Sequence, residues 1–596
     1  MNRLKTAILS VYDKRGIVDL ANYLLNNNFQ ILSSGGTYKI LKESINSDKI
    51  RTIESYTKFP EILNGRVKTL HPKIAGGILA TTSINDENDL IKHQIHRIDM
   101  VVCNLYPFSE TIQKEHTHNQ AIENIDIGGV TLIRAAFKNY MNVITLTNPD
   151  TYHKLIYTGI DNITDEDKLD FAKTAMQHIS KYDNCITQYF DDSIEYREYR
   201  QISFLKYGCN PHQKKKSSIY QNSNIDFPFT VINGNPGYIN YIDAVQSWCL
   251  VTELKKILGV PCAASFKHTA PAGVGTYFPI PEIYDNIYGI DSKNIGKVAT
   301  AFIRARTADP LSSFGDFISI SDIVDKETAL LIKREVSDGI VALGYSDEAL
   351  DILKSKKSGN YVILKGDTNL LDNLENNIEY RELNGIVLSQ EINTKITDNT
   401  FLNNLPTERK FFPDFAKTDL VIANTTLKYT PSNSIVYACE GQVVGVGAGQ
   451  QNRVDCVKLA GRKARKWVLT VHPKTLEMIN NLKPGVKRQE KVNIIIQFLE
   501  NDFTENEYKN WLGNFVDGYI PNFITKDEEN KHMKPLQLSL ASDAFFPFRD
   551  NIDKCAQNGV KYIIQPGGSV ADNGIIEACN EYGIAMCMSG VRVFTH

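Results

Sequence analysis

Little in this chain of 596 residues commits it to a membrane, a secreted fold or a nucleic acid. No apolar stretch approaches the roughly 20 residues that a spanning helix needs. The opening MNRLKTAILS is too short and too soon interrupted for a signal peptide. The ten cysteines are scattered and include no C-x-x-C pair, which argues against a disulfide framework and for free thiols in a reducing, cytosolic compartment. Charge of one sign is lacking as well. A formal net charge of -3 leaves room for local basic pockets but not for a general nucleic-acid binder. Length is not lacking, and two to four domains are expected. A hydrophobic content of 42% and a charged content of 23% are those of an ordinary globular protein.

What the chain does have is polar chemistry set at the ends of apolar runs. In SFKHTAPAG, the run Val260 to Phe266 leads straight into Lys267 and His268. Such a run reads as a strand buried on both faces, with Thr269, Pro271 and Gly273 preventing regular continuation. Lys267 and His268 then sit at a carboxyl end, where ligands bind in α/β sheets. An ammonium there can steady developing negative charge, and an imidazole can move a proton.

Nearer the N-terminus, Thr6 to Val11 reads as a strand, followed by an amphipathic helix carrying Val18, Leu20, Ala21, Leu24 and Leu25. A second strand, Phe29 to Leu32, opens into Ser33-Ser34-Gly35-Gly36-Thr37 and another helix. That βαβ unit offers the backbone N–H groups of a glycine turn to a phosphate. In NGRVKTLHP an extended backbone would point Arg66 and Lys68 the same way, although a lone R-x-K is more often a solvated pair. The strand Met100 to Leu105 carries Cys103 and Asn104 just ahead of Tyr106. IDIGGVTLIRAAFKN sets Asp126 before a Gly-Gly turn and a helix on which Arg134 and Lys138 share a face. Asp126 as a simple cap and Lys138 as a surface charge are the plain alternatives.

In order and spacing, SVYDK, SSGGT, GRVKTLHP, CNLYPF and IDIGGVTLIRAAFKN resemble the inosine monophosphate (IMP) cyclohydrolase domain of the bifunctional purine biosynthesis family. That domain has the fold of methylglyoxal synthase. The resemblance implies contacts to IMP or its formylated precursor FAICAR from Tyr12, Asp13, Lys14, Ser34, Gly35, Gly36, Thr37, Arg66, Val67, Lys68, Thr69, Cys103, Asn104, Asp126 and Ile127. It further implies catalytic work by Lys68, Tyr106, Asp126 and Lys138. Two positions depart from the family pattern: Tyr12 stands where many relatives have Ser, and Ala75 where many have His.

Past a charged run at Asp191 to Arg200, taken as the linker, come KYGCNPHQ, NGNPGYINYIDA, SSFGDF, EVSDGIVALGY and KYTPSNS. Residues 350 to 410 carry no strong chemical motif and read as strands and loops joining two subdomains. GQVVGVGAGQQNR fails the dinucleotide fingerprint, because Gly445 and Gly447 are followed by Gln450. In SDAFFPFRD, Phe545, Phe546 and Phe548 are either core or the lining of a slot for a flat heterocycle. IQPGGSVADN follows. Arg592, in the closing VRVFTH, is either buried against a phosphate or part of a frayed tail.

These motifs resemble the AICAR formyltransferase domain of the same family, so the resemblance covers nearly the full chain. It implies an α/β protein with a methylglyoxal-synthase-like cyclohydrolase domain at residues 1–199. A transformylase region of two cytidine-deaminase-like subdomains would occupy 200–596. The H-x-E and P-C-x-x-C zinc signature of true deaminases is missing, so no zinc is expected. The resemblance implies 10-formyltetrahydrofolate as co-substrate and a homodimer, and it is compatible with a bound monovalent cation. In its roles, His268 accepts the proton of the attacking 5-amino group, Lys267 stabilises the oxyanion and Asn433 holds the carboxamide. AICAR would be held by Lys206, Tyr207, His268, Gly315, Asp338, Asn433, Arg453, Phe545 and Arg592, and the folate by Val454, Asp550, Ser569 and Val570. Lys206 stands where Arg is expected, keeping the charge but not the bidentate fork, so weaker nucleotide binding is expected. Two rivals compete. A metabolite-sensing regulatory protein is disfavoured by the coexistence of Lys68, Asp126, Lys138, Lys267, His268 and Asn433. A zinc nucleoside deaminase is disfavoured by the missing ligand spacing.

Overall fold

The structure is a computed structural model that describes residues 3–214, 216–222, 225–374 and 377–596. It divides into two units, Met1–Arg197 and Glu198–His596.

In the first unit, strands β1 (Lys5–Val11), β2 (Phe29–Ser33), β3 (Ile50–Thr52), β4 (Met100–Asn104) and β5 (Ile144–Leu146) form a parallel sheet. Their order is β3-β2-β1-β4-β5. The strands are apolar throughout because both faces are covered. Ala7, Leu9, Met100 and Val102 pack with Leu20 and Leu24 of α1 (Ile17–Asn26). On the other face, Ile8, Val101 and Cys103 meet Ile74 and Ile78 of α3 (Pro72–Leu79), Ile133 of α4 (Gly128–Lys138) and Ile179 of α5 (Asp165–Phe190). Between β2 and β3 runs α2 (Gly35–Ser44). The strand order reverses between β1 and β4, whose ends are level at Val11 and Asn104. A crevice opens at such a switch point.

The second unit begins with a hairpin, β6 (Tyr199–Phe204) and β7 (Ser218–Asn222), and carries another at β14 (Ile378–Leu383) and β15 (Ile386–Glu391). Its main sheet has eleven strands, among them β8 (Phe229–Asn233), β9 (Cys262–Lys267), β10 (Ala270–Thr276), β11 (Asp316–Val324), β12 (Ser337–Tyr345) and β13 (Val362–Gly366). The rest are β16 (Ile435–Cys439), β17 (Gln442–Gly447), β18 (Leu538–Ser542), β19 (Val560–Gln565) and β20 (Ala585–Met588), and the order is β20-β19-β18-β16-β17-β10-β9-β11-β12-β13-β8. Helices α6 (Tyr238–Leu258) and α7 (Lys297–Thr307) flank the hairpin β9/β10 in sequence, as α8 (Asp414–Lys428) and α9 (Arg453–Leu469) flank β16/β17.

This sheet is an internal duplication. In one half, β9 pairs antiparallel with both β10 and β11, and β11, β12 and β13 run parallel. In the other, β16 pairs antiparallel with β17 and β18, and β18, β19 and β20 run parallel. The halves join through antiparallel β10 and β17, with Gly275 opposite Gln442. Each inner strand carries Gly-Val-Gly, at 273–275 and at 445–447. The two like halves are the pair of subdomains expected for this region, and the tripeptide is a local trace of the repeat in the sequence. Its glycines let a helix backbone lie against the sheet. A methyl on Gly273 would strike the Ala305 carbonyl of α7, and one on Gly445 the Ala460 carbonyl of α9.

Pro271 and Gly273 therefore do not end the ordered backbone, as the sequence suggested. They lie inside β10, where a register shift between them absorbs the proline. Hairpin formation needs only the two residues His268 and Thr269, both with positive φ, 55° and 62°.

Gly445→Ala and Gly273→Ala should each lower the stability of the second unit by about 1–3 kcal/mol, the usual cost of overpacking. Gly574→Ala, with open space around it in a helix, should cost nothing. Urea midpoints decide, and an unshifted midpoint for Gly445→Ala would contradict the packing argument.

Asp419 of α8 gives a pH dependence. Burial pushes its carboxyl from 3.8 up to about 7, against the opposing pull of the Gly441 and Glu440 N–H groups. Because the folded value is the higher one, this carboxyl's stabilising contribution is complete at low pH and is lost as pH rises through about 7. The unfolding free energy of Asp419→Asn relative to the parent should therefore improve from about pH 5 to about pH 8. A constant difference would show that Asp419 is ionised throughout.

Candidate active sites

The first site lies at the carboxyl ends of β1 and β4. Asn104 accepts at Oδ1 from the N–H groups of Tyr12 (2.6 Å) and Asp13 (2.8 Å) and returns a bond to the Asp13 carbonyl at 3.2 Å. This clamp fixes the loop after β1, while the Lys14 ammonium turns back onto the Val11 and Tyr12 carbonyls. The buried Thr37 hydroxyl bonds both polar groups of Val11, and Ser34 meets Ser10 at 3.2 Å. Ser34 is also the N-cap residue of α2, which leaves the exposed Gly35 and Gly36 to open the helix. Tyr12 and Tyr106 stand edge to face with centroids 6.0 Å apart.

Asp126 sits where α4 begins. Its Oδ1 accepts from the Gly129 N–H at 2.7 Å, and its own N–H donates to the Tyr182 hydroxyl at 2.6 Å. Burial raises this carboxyl, while N–H bonds from Gly129 and Tyr106 and the Lys68 charge pull the other way. Cys103 is buried nearby, and desolvation with the Asp126 charge drives its thiol well up. Lys68 pairs with Glu61 at 3.2 Å, and its ammonium lies 3.6 Å from the space above Gly35. The Thr69 hydroxyl, beside Gly128, is buried without a hydrogen-bond partner. An orphaned polar atom there awaits a partner from a ligand or water.

Several expectations change here. The segment holding Arg66 and Lys68 is a turn and not extended, because Val67 bridges back to Ile62. Arg66 faces outward to pair with Glu123, whereas Lys68 turns to Glu61. Val67 is half-buried in that bridge, and Ile127 is exposed. Lys138 ends α4, about 15 Å of helix rise from Gly128. The bonds that draw the other residues together do not include it. Arg134, on the same face, pairs with Asp183 of α5.

The second site occupies one edge of the eleven-stranded sheet. Strand directions bring to this edge the end of β9, the starts of β11, β12 and β16, and the ends of β17 to β20. Lys267, His268, Gly315 and Asp338 come from one half, and Asn433, Arg453, Phe545, Ser569 and Arg592 from the other. Lys267 donates to the Phe314 carbonyl at 2.6 Å, next to Gly315, whose N–H bonds the Val336 carbonyl. His268 is exposed on its turn, and Asp338 pairs with Lys357 at 2.6 Å. Behind them Asp316 is fully buried, bonded by Ser265 and Arg306.

In the other half, Arg453 is buried and ion-paired with Asp543. It also donates to the Ser434 carbonyl and, at 2.9 Å, to Asn433 Oδ1, while Asn433 Nδ2 donates to the Gln450 carbonyl at 3.1 Å. With its charge matched by Asp543, Arg453 orients Asn433. Phe546 is core, whereas Phe545 and Phe548 are exposed, so the three do not line one slot. The C-terminal tail is tied down and not frayed: Val593 N–H bonds the Asp543 carbonyl, and Thr595 bonds Ser432. Arg592 is neither buried nor loose, with its guanidinium 4.6 Å above the Phe594 ring.

Of the expected folate contacts, Val454 is half-buried in the first turn of α9, Asp550 is exposed, and Ser569 donates its N–H to Asp572. Val570 is fully exposed. Lys206 is exposed and Tyr207 half-buried, both just beyond β6. From β9 to β16 there are three strand steps, so Lys267 and Asn433 stand about 14 Å apart along the edge. All ten cysteines are free, and among the described residues no group of three His, Cys, Asp or Glu is placed to hold a metal ion. No helix among them is long and apolar enough to cross a membrane. Asp243 and Tyr182 escaped the sequence reading because each works through a partner far away in sequence.

Known proteins match this chain over its whole length. Residues 135–463 match the AICARFT/IMPCHase bienzyme family, and residues 16–131 match the MGS-like domain. A bifunctional purine biosynthesis protein PurH from Aquifex aeolicus (strain VF5) is 33% identical over 604 residues, covering 99% of this chain and 100% of the relative. PurH from Clostridium botulinum (strain 657 / Type Ba4) is 33% identical over 608 residues, with 100% of both covered.

Removing Asp543 would strand the Arg453 charge. Asp543→Ala should therefore destabilise the second unit by about 3–5 kcal/mol. An unchanged denaturation midpoint would mean that Arg453 does not depend on this carboxylate.

Proposed function

The chain belongs to the AICARFT/IMPCHase bienzyme family, and we propose that it divides the family's two reactions between its two units. The protein transfers a formyl group to the 5-amino group of AICAR and then closes FAICAR to IMP with loss of water. The observation that carries the division is the exposed His268 beside Lys267 at an open sheet edge, in a unit separate from the Lys68 and Asp126 crevice.

For formyl transfer, 10-formyltetrahydrofolate is the donor. The 5-amino nitrogen attacks the formyl carbon, and the His268 imidazole accepts the proton it sheds. Lys267 is held by the Phe314 carbonyl with its ammonium available to the tetrahedral oxygen. The C–N bond to the folate then breaks, and the folate nitrogen takes up a proton. Asn433 keeps a lone pair and an N–H after serving Arg453 and Gln450, enough to hold a carboxamide. Phe545, Arg592, Gly315 and Asp338 border the nucleotide, and Val454, Asp550, Ser569 and Val570 the folate. In this reading Lys206 and Tyr207 complete the nucleotide contacts.

For ring closure, the weakly nucleophilic carboxamide nitrogen must be held against the formyl carbon, so orientation outweighs strong acid–base chemistry. Lys68 stabilises the carbonyl oxygen. Asp126, displaced upward by burial, exchanges protons with the amide and the departing water, and Tyr106 lies beside it. The nucleotide phosphate seats at Ser34–Thr37, and the Thr69 hydroxyl gains its missing partner. Lys138 keeps a role only through approach from the far end of α4. A cytosolic homodimer using small-molecule substrates, without nucleic acid or membrane, completes the proposal.

His268→Ala should lower formyl transfer on the order of a hundredfold or more while supplied FAICAR still cyclises at the parental rate. Lys68→Ala should do the reverse. Loss of both activities in either folded variant would overturn the division of labour.

A further inference from the structure

We infer that Asp243 is a positioning residue for formyl transfer: its buried carboxylate clamps the turn that aims His268. The inference rests on the reading of Lys267 and His268 given above and adds a residue to it.

The turn between β9 and β10 contains only His268 and Thr269, since Lys267 and Ala270 are already ladder partners. Both turn residues have positive φ, 55° and 62°. Two-residue hairpins of this type favour Asn-Gly or Gly-Gly, because a side chain in the left-handed region meets its own backbone. Thr269 is β-branched and among the least suited to it. Such a conformation persists only where the surroundings over-determine it.

Asp243, in the second turn of α6, supplies that constraint. Its Oδ1 accepts from the Thr269 N–H at 2.8 Å, and the residue is only 5% exposed. Burial lifts its carboxyl to about 6, opposed by the Thr269 N–H and the His268 charge and reinforced by Asp338 and Asp316. The protein thus keeps a carboxyl group in a costly place, facing this one turn.

The duplicate half contains an independent instance of the same device. Its turn, Glu440-Gly441, has φ values of 52° and 74°. There Asp419, on the helix before the hairpin, accepts from Glu440 N–H at 3.1 Å and Gly441 N–H at 2.7 Å. A carboxylate from the preceding helix closing a left-handed hairpin is therefore a feature of the repeat. The catalytic half differs by carrying Thr where the other has Gly, which leaves its turn more dependent on the clamp. His268 is exposed, so the direction of its imidazole is set mainly by the backbone that Asp243 holds.

The test compares Asp243→Ala, Asp243→Asn and Asp243→Ala/Thr269→Gly in the full-length protein, with cyclisation of FAICAR as a folding control in the same preparations. Asp243→Ala should lower kcat of formyl transfer about ten- to hundredfold, the range expected when a catalytic group is misplaced. KM for AICAR should stay within about threefold, because only the His268 contact among the expected nucleotide contacts is disturbed. Asp243→Asn, whose amide oxygen still accepts the Thr269 N–H, should retain activity within about threefold. Adding Thr269→Gly to Asp243→Ala should recover activity severalfold, since glycine adopts the turn unaided. Parental kcat in Asp243→Ala, a defect in KM alone, an Asn variant as impaired as the Ala one, or no rescue by glycine would each overturn the clamp. His268→Ala discriminates the layers: unimpaired transfer there removes the catalytic reading itself, whereas impaired transfer there with normal Asp243→Ala removes only the clamp.

Discussion

The second unit depends on a helix backbone being allowed to touch a strand. Gly273 and Gly275 face α7, and Gly445 and Gly447 face α9, at distances that admit no side chain. That approach places each inner hairpin against its helices, and the joining of β10 to β17 then makes one sheet from two halves. Burial of apolar area supplies the gross stabilisation, but it is not directional. The glycines add the direction. They set how closely α7 and α9 lie on β10 and β17, the strands next to β9 and β16.

A second constraint is electrostatic. The sheet holds buried carboxylates that are matched in two different ways. Asp543 and Asp316 meet arginines, Arg453 and Arg306, which are themselves almost completely buried. Asp243 and Asp419 are hydrogen-bonded by backbone N–H groups, without an arginine ion pair, and burial displaces them upward, to about 6 and about 7. An arginine pair with one partner removed leaves a buried charge, whereas a carboxyl bonded to amides can take up a proton. The arginine-matched carboxylates therefore hold fixed geometry, as Arg453 does for Asn433. In the first unit, Asp126 belongs to the amide-bonded kind, with Lys68 as a further partner, which suits a group asked to exchange protons.

Much of this was legible in sequence wherever function coincides with local grammar. The strand ending at Lys267, the βαβ unit opening at Ser34, and Asp126 ahead of a Gly-Gly helix start all follow from apolar runs and turn residues. Proline and glycine misled at β10, because a register shift tolerates Pro271 and close packing requires Gly273. Arg66 and Lys68 misled because an extended backbone was assumed where Ile62 and Val67 close a turn. The ion pair of Arg453 with Asp543 was not legible, because the two lie ninety residues apart, beyond the reach of any spacing argument. In sequence the duplication leaves Gly-Val-Gly twice and an aspartate on the helix before each hairpin, since most of what the halves share is backbone topology.

Duplication explains why the sheet has one chemical edge and not two. Antiparallel joining of β10 to β17 puts the His268-Thr269 turn at one edge and its counterpart Glu440-Gly441 at the other. The counterpart edge is closed from within. Thr276 N–H bonds the Gly441 carbonyl, and Arg304 bonds the Phe278 and Pro279 carbonyls and the Gln442 side chain. That turn is Glu-Gly, with Gly441 buried, Glu440 exposed and no imidazole. At the opposite edge His268 and Asp338 are exposed, and there a strained His-Thr turn is retained. Strain of this kind stabilises nothing in the fold. It persists at the one edge where aiming an imidazole has a use, and the helix carboxylate common to both halves is what allows it to persist.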